Sequence, residues 1–329
     1  MKRHLGRVVH VVVTVGILVL LVLFARRVDW AATWAALRSA SPAMLLAAAA
    51  VNLVSLALKG VRWWIFLRPV GVDSLPLALR ATFAGAGLNN VLVAQGGEAA
   101  RVIFVSRAAR VSSANVLATF ALERLFELIG YILMLLLGLW LLPLPDHMAS
   151  FRPYALGAAV VLGALLLYLL KRDVSAPAAQ DISRWHERVR AYMRQFMHTL
   201  GGVSTGPRFA GALALSIGAW ALQVATYHMT ARAVHFPITF TGTVAAILAV
   251  NIGFAFRATP GNVGIFQFLY AFTAGALGFD TNAAIAVAFL IQTQQILPVT
   301  AIGIGLAPEF LFKRHPDNPA PGKQDGPSA

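Results

Sequence analysis

A chain of 329 residues that is 58% hydrophobic and 12% charged, with a mean hydropathy of +0.72, is too apolar for a water-soluble globule. It carries several runs long enough to cross the ~30 Å hydrocarbon core of a bilayer. The formal net charge of +14 sits mostly between those runs, which fits cytoplasmic loops and anionic headgroups and argues against nucleic acid as a partner. The absence of cysteine excludes disulfides, thiolate metal sites and cysteine nucleophiles.

The N-terminus, "MKRHLGRVVHVVVTVGILVLLVLFARR", starts basic and is apolar over residues 8–25. No small-x-small cleavage pattern follows, and Arg26 and Arg27 close the run, so it reads as a retained first transmembrane helix. Trp30, Trp34 and Leu37 then recur at helical spacing, as in a short helix lying in an interface. The run 42–58 leads into "LKGVRWWIFLRP", whose Lys59, Arg62, Arg68, Trp63 and Trp64 read as a boundary at the cytoplasmic membrane surface. Residues 77–94 are apolar but interrupted by Arg80, Gly85, Gly87, Asn89 and Asn90, which predicts a re-entrant or broken helix. The run 116–142 opens with "LERLFEL" and closes on Pro143 and Pro145, and 154–170 is apolar again.

Residues 171–207 are long, polar and mainly basic, and so face the cytoplasm by the positive-inside rule. Within them Ile182, Trp185, Val189 and Phe196 mark an amphipathic helix, a form that serves equally as a solvated linker or as a lipid-contacting surface. Further apolar runs cover 209–229, 238–256, 265–277 and 283–306, and the tail is polar, Pro/Gly-rich and expected to be disordered. The expected fold is all-α: a polytopic helical integral membrane protein of about eight spanning helices plus re-entrant or broken helices, with scope for a two-half pseudo-repeat. Residues 1–310 form one transmembrane domain with the cytoplasmic loop 171–207, residues 311–329 a tail, and both termini are cytoplasmic.

An ionisable side chain inside a bilayer costs about 3 kcal/mol even on the lenient insertion scale, so each one needs a partner or a task. Glu98 and Arg101 lie three apart and share a helix face, and Glu123 and Glu127 lie four apart with Arg124 beside them. These groups serve either to hold helices together or to build a site. Gly96 and Gly97 favour a site, because a helix opening near Glu98 aims its positive end into the protein. In "RATPGNVGIFQFLYAF", Pro260 and Gly261 suit a type II turn, Asn262 suits a helix cap and Gly264 suits close packing. An N-terminus at that depth attracts phosphate or carboxylate. One interrupted apolar segment in each half is the sequence pointer to a central site between transporter repeats, although glycine and proline also kink ordinary spanning helices.

The stretches "ALKGVRWWIFLRP", "GLNNVLVAQGGEAARVIFVSRAARVSSANVLATFALERLFELI" and "TPGNVGIFQFLYAFTAGALGFDTNAAIAVAFLIQ" resemble, in order and spacing, the lysylphosphatidylglycerol synthase transmembrane region family. This flippase-like family includes the N-terminal membrane part of the multiple peptide resistance factor. By position the family's motifs fall on Arg62 and Trp63, on Gly97, Glu98 and Arg101, on Glu123 and Arg124, and on Pro260, Gly261 and Gly264. The chain departs from the pattern at Val93, Gln95, Glu127 and Gln267, and the last of these weakens any scheme that needs a carboxylate after the hairpin. The resemblance implies lipid translocation or lipid-linked export. It does not imply aminoacyl transfer, which in two-part relatives belongs to a further C-terminal domain.

No phosphate-binding loop, G-x-S-x-G or H-E-x-x-H motif is present, so the expectation is a non-enzyme without cofactor or metal. His228 and His235 read as packing or interfacial residues. Membrane lipids are the expected partners: an anionic phospholipid or lipid-linked substrate, with a lipid-biosynthetic enzyme as an additional docking partner. The expected substrate-binding set is Arg62, Asn90, Gly96, Gly97, Glu98, Arg101, Glu123, Arg124, Glu127, Pro260, Gly261, Asn262, Gly264 and Gln267. Two other readings stay open: a lipid-modifying membrane enzyme that uses the acidic residues, and a non-transporting scaffold for such an enzyme.

Overall fold

The computed structural model describes residues 29–91, 96–141, 206–253 and 262–312, with the isolated positions 26, 153, 156, 157 and 160. The sequence expectations for 8–25, 154–170, most of 171–207, the tail beyond 312, and Pro260 and Gly261 lie outside these residues. The described residues hold nine α-helices and no strand: α1 Trp30–Arg38, α2 Pro42–Leu67, α3 Leu75–Val91, α4 Gly96–Ala109, α5 Ser113–Leu141, α6 Gly206–Ala233, α7 Phe240–Gly253, α8 Ile265–Ala276 and α9 Thr281–Phe312.

Among the described residues, the stretches Pro42–Val70, Pro207–Ala233 and Thr281–Leu306 are long and apolar enough to cross a membrane. By contrast, α7 and α8 reach only about 21 and 18 Å at 1.5 Å per residue, short of a bilayer core of roughly 30 Å. Large apolar side chains stand exposed on the outer faces, among them Leu46, Leu133, Phe272 and Leu297, as a surface covered by lipid requires. The protein is a polytopic helical membrane protein.

Packing reveals an internal repeat. Exchanging α2, α3, α4 and α5 for α6, α7, α8 and α9 maps every packed pair of these helices onto another. The pair α2–α3 maps on α6–α7, α3–α4 on α7–α8, α4–α5 on α8–α9, α2–α5 on α6–α9, α3–α9 on α7–α5, and α2–α9 on α6–α5. The most extensive pair, α2–α6, maps on itself. It is antiparallel, since Ser55 Oγ donates to Ala219 O and Arg62 Nη1 to Ser216 Oγ. Two halves related through an antiparallel central pair run in opposite directions, which is an inverted-topology repeat.

Each half contributes an antiparallel hairpin. In α3–α4, a Cβ on Gly97 would collide with Gly85 O, and Gly97 N donates to Asn89 Oδ1 at 2.9 Å. In α7–α8, Gly253 lies against Ile265 and Leu269. Of the two forms expected over 77–94, re-entrant or broken, the broken one is absent from the described part: Leu75–Val91 is one unbroken helix, and it packs back on α4. Gly85 and Gly87 are spent on close approaches to α4 and to Gly303 of α9, and Asn89 and Asn90 bond across helices, so none of them weakens α3 where it stands.

The two ends of the helix array are distinct. Ser41 N donates to Ala233 O, and Asp29 N to Asn282 Oδ1, so one end gathers α1, the start of α2, the end of α6 and the start of α9. The other gathers the end of α2, the open ends of the α3–α4 hairpin and the start of α6, and it carries Arg68, Arg107, Arg110 and Arg208 against Asp73.

Candidate functional site

The helix α2 runs on through Lys59, Arg62 and Trp63 to Leu67. The sequence reading placed these residues at a membrane surface; instead Arg62 is 1% and Trp63 0% exposed. The polar boundary comes one turn later, where Trp64 Nε1 donates to Asp73 O at 2.8 Å and Arg68 covers the Trp64 ring. Arg62 and Trp63 are buried because α6 and α5 present hydroxyls to them: Ser216 Oγ takes Arg62 Nη1, and Thr119 Oγ1 takes Trp63 Nε1, both at 2.9 Å.

Arg101 of α4 is the centre of the first motif. Its guanidinium stands against two aromatic rings, with Cζ 4.0 Å from the Trp63 centroid and 4.8 Å from that of Phe120, which meet each other edge-on at 70°. Nη2 is 3.3 Å from Glu123 Oε2 and also reaches Thr82 Oγ1 at 3.4 Å. Both partners of the ion pair are buried. Gly85 makes the space, since a Cβ there would overlap Cγ and Cδ of Arg101. A cation over a desolvated aromatic face is worth about 2 kcal/mol, so Trp63 and Glu123 share the work of keeping Arg101 buried.

The remaining carboxylates pair across helices too. Glu98 bonds Arg124, which also holds Glu127 at 2.8 Å. Glu127 in turn lies 3.5 Å from Arg62 Nη2. The i,i+3 neighbours Glu98 and Arg101 therefore do not pair with each other; Glu98 goes to Arg124 and Arg101 to Glu123. Glu98, Arg124, Glu127 and Arg62 thus form one chain of ion pairs joining α4, α5 and α2, which Ser216 ties to α6, and Arg101 with Glu123 is a second buried pair that joins α4 to α5 in the same charge cluster. Arg62 Nε and Nη2 and Arg101 Nε have no hydrogen-bond partner among the described residues. Lys59, one turn before Arg62, faces a cleft instead and has Glu127, Arg62, Glu123 and Arg124 as charged neighbours.

The other expected site residues lie elsewhere. Gly96 and Gly97 open α4, as expected for a helix start just before Glu98. Asn90 donates to Thr300 Oγ1 at 3.0 Å, joining α3 to α9. Asn262 is not the cap of α8: it has φ +56° in the turn before it, and Gly264, at φ +91°, is the N-cap. Only a glycine enters that conformation at little cost. Gln267 is 1% exposed; its Oε1 accepts from Gly264 N at 2.7 Å and its Nε2 donates to Gln292 Oε1. Gly264 and Gln267 therefore serve the α8 start and its joint to α9. The helix α4 packs on α3 and α5 while α8 packs on α7 and α9, so the two glycine motifs share no extended contact.

The expected binding set lacked Ser216, Thr82 and Phe120, and also Lys59 and Trp63, which the sequence marks only as boundary residues and, for Trp63, as part of a family motif. A signal existed for Lys59, which precedes Arg62 by three and so shares its helix face.

The sequence profile of the family described as lysylphosphatidylglycerol synthase TM region matches residues 8–303. The chain belongs to this family. Two relatives are similar along most of it. One, named glycosyltransferase AglD, from Haloferax volcanii, is 24% identical over 337 residues, covering 92% of this chain and 54% of its own length. The other, a UPF0104 membrane protein from Methanothermobacter thermautotrophicus, is 23% identical over 301 residues, covering 84% of this chain and 88% of its own length. The chain spans about half the length of the Haloferax protein.

Proposed function

We propose that the protein moves a lipid, or the headgroup of a lipid-linked substrate, between the leaflets of the cytoplasmic membrane. The observation that carries this reading is the buried charge network beside the antiparallel α2–α6 pair of an inverted repeat. In transporters, sites of this kind lie at the repeat interface near the bilayer midplane, and intramembrane ionisable residues mark pathways. Membership of a membrane family with lipid synthesis in its description agrees with a lipid substrate.

Within this reading Arg62 binds the anionic headgroup, because its Nε and Nη2 have no hydrogen-bond partner among the described residues and Glu127, the described carboxylate in ion-pair contact with it, is shared with Arg124. Glu98, Arg101, Glu123 and Arg124 set the position of α4 and α5 around it, while Asn90, Gly96, Gly97 and Gly264 shape the helix ends and crossings. The array end rich in arginine faces the cytoplasm. That assignment puts the C-terminal end of α9 and the start of α6 there, and with them the basic sequence 171–207, whose arginines dock a lipid-biosynthetic enzyme. Residues 1–310 act as one transmembrane unit.

The test is leaflet exchange of headgroup-labelled lipids in sealed proteoliposomes, read with an impermeant quencher, for wild type and Arg62→Met. Loss of exchange in a variant that still inserts and melts normally supports the assignment; equal exchange by both removes Arg62 from the site. A second reading, a lipid-linked glycosyl transfer step, is favoured by the name of the Haloferax relative. It requires turnover in detergent, where no leaflets exist.

A further inference from the structure

A cleft of about 200 Å³ lies where α2, α3, α6 and α9 meet, lined by Lys59, Asn52, Asn90, Gln223 and Gln295 among others. That is room for several waters at ~30 Å³ each, and for one small headgroup. The charge count at its edge is uneven. Arg101 is matched by Glu123, and Arg124 and Arg62 by Glu98 and Glu127. Three guanidiniums meet three carboxylates, and Lys59 is the fourth cation, making no hydrogen bond or ion pair among the described residues. It sits about 12 Å along the axis from the Leu67 end of α2, at 1.5 Å per residue. An ammonium at that depth is costly without a counter-ion.

The rest of the polar lining is neutral. Carboxamides both donate and accept, which suits hydroxyl groups, and Asn90 is held in place by its bond to Thr300. Among the described residues no carboxylate lines the cleft, so a cationic headgroup meets Lys59 there instead of a partner. The opening is not imposed by the repeat. At the corresponding junction of the other half, where α5 and α7 meet α6, the Trp220 ring stands against Gly130 and Tyr131 donates to Leu248 O. That place is filled with aromatic side chains.

We propose that this cleft binds the headgroup of a lipid carrying one phosphate charge and one small hydroxyl-bearing group, a glycerol or a single sugar, with Lys59 on the phosphate and the carboxamides on the hydroxyls. The proposal rests on the lipid-translocation reading and narrows its substrate; it disfavours aminoacylated or amine headgroups.

The test is binding to the full-length protein in micelles, followed by tryptophan fluorescence. The probes are phosphatidylglycerol, a polyisoprenyl-phosphate hexose, phosphatidate, phosphatidylethanolamine and lysyl-phosphatidylglycerol. The expected result is binding of one or both hydroxyl-bearing phosphate lipids about tenfold above phosphatidate, as two neutral hydrogen bonds from hydroxyls to carboxamides provide, and about tenfold or more above the amine lipids, whose ammonium meets Lys59. Which of the two binds more tightly identifies the source of the headgroup. Lys59→Gln should erase the preference over phosphatidylethanolamine, and Gln295→Leu the preference over phosphatidate. Tightest binding of an amine lipid, or both variants keeping the wild-type order, overturns the proposal. Should Lys59→Gln not fold, Gln223→Leu with Gln295→Leu tests the hydroxyl half, and an unchanged preference over phosphatidate in that variant overturns the proposal. Selective, Lys59-dependent binding without leaflet exchange would keep the cleft and remove translocation. Wild-type exchange in both variants would keep translocation and remove the cleft.

Discussion

Glu123→Gln leaves the Arg101 guanidinium, 7% exposed, without its ionic partner at nearly constant side-chain volume. Breaking a buried pair costs about 3–5 kcal/mol. Two features place the expected loss at the lower end. The contacts to Glu123 are long, 3.3 and 3.4 Å, and so weaker than a well-made charge-assisted bond. The Trp63 and Phe120 rings also remain to hold the cation. A destabilisation of about 3 kcal/mol corresponds to roughly a 150-fold change in the unfolding equilibrium. It is measured by chemical denaturation in detergent, following tryptophan fluorescence. The double variant Arg101→Met with Glu123→Leu removes both charges and should regain most of the loss, because an apolar pair of similar volume replaces a buried ion pair at little or no cost. Glu123→Gln within about 1 kcal/mol of wild type, or a double variant no more stable than the single one, would refute the claim that this pair holds α4 against α5.

Other outcomes follow from the same geometry. Gly85→Ala puts a methyl into the Arg101 side chain and should cost about 1–3 kcal/mol by overpacking, read by denaturation, and Gly85→Ala combined with Arg101→Ala should cost less than the sum of the two single changes. Gln267→Leu removes the acceptor for Gly264 N and the donor to Gln292, for an expected loss of about 2–3 kcal/mol; Gln267→Glu keeps the cap and should lose less, measured in the same assay. The chain has no native cysteine, so single cysteines report topology directly. Positions 73 and 112 should label with an impermeant maleimide from one side of sealed vesicles, and 235 and 280 from the other. Labelling of all four from one side would contradict the inverted repeat.

Much of the helical scaffold was legible in the sequence. The apolar runs from 209 onward fall on α6 to α9 within a few residues at most ends, because lipid-facing surface forces continuous hydrophobicity. The charged residues were legible as a set but not as pairs. Local spacing joins Glu98 to Arg101 by i,i+3, whereas both side chains face neighbouring helices and find their partners 26 and 22 positions away. Arg62 and Trp63 read as interfacial because arginine and tryptophan are typical there; their burial depends on the hydroxyls of Ser216 and Thr119, which sequence distance conceals. Asn262 was a sound cap by residue type, yet the cap fell to Gly264, where the backbone needs positive φ and Gln267 supplies the acceptor. The cleft was out of reach, since Lys59, Asn90, Gln223 and Gln295 converge only after the two halves cross.

The central claim is that a lipid headgroup passes between the two inverted halves, and one lock tests it most directly. With Ala86→Cys on α3 and Val299→Cys on α9, both lining the cleft, a short bis-maleimide ties the two helices across it. Exchange of labelled phosphatidylglycerol in proteoliposomes should then stop, while each single-cysteine protein treated in the same way should continue. Unchanged exchange in the fully cross-linked double variant would show that no headgroup passes between the halves at this place.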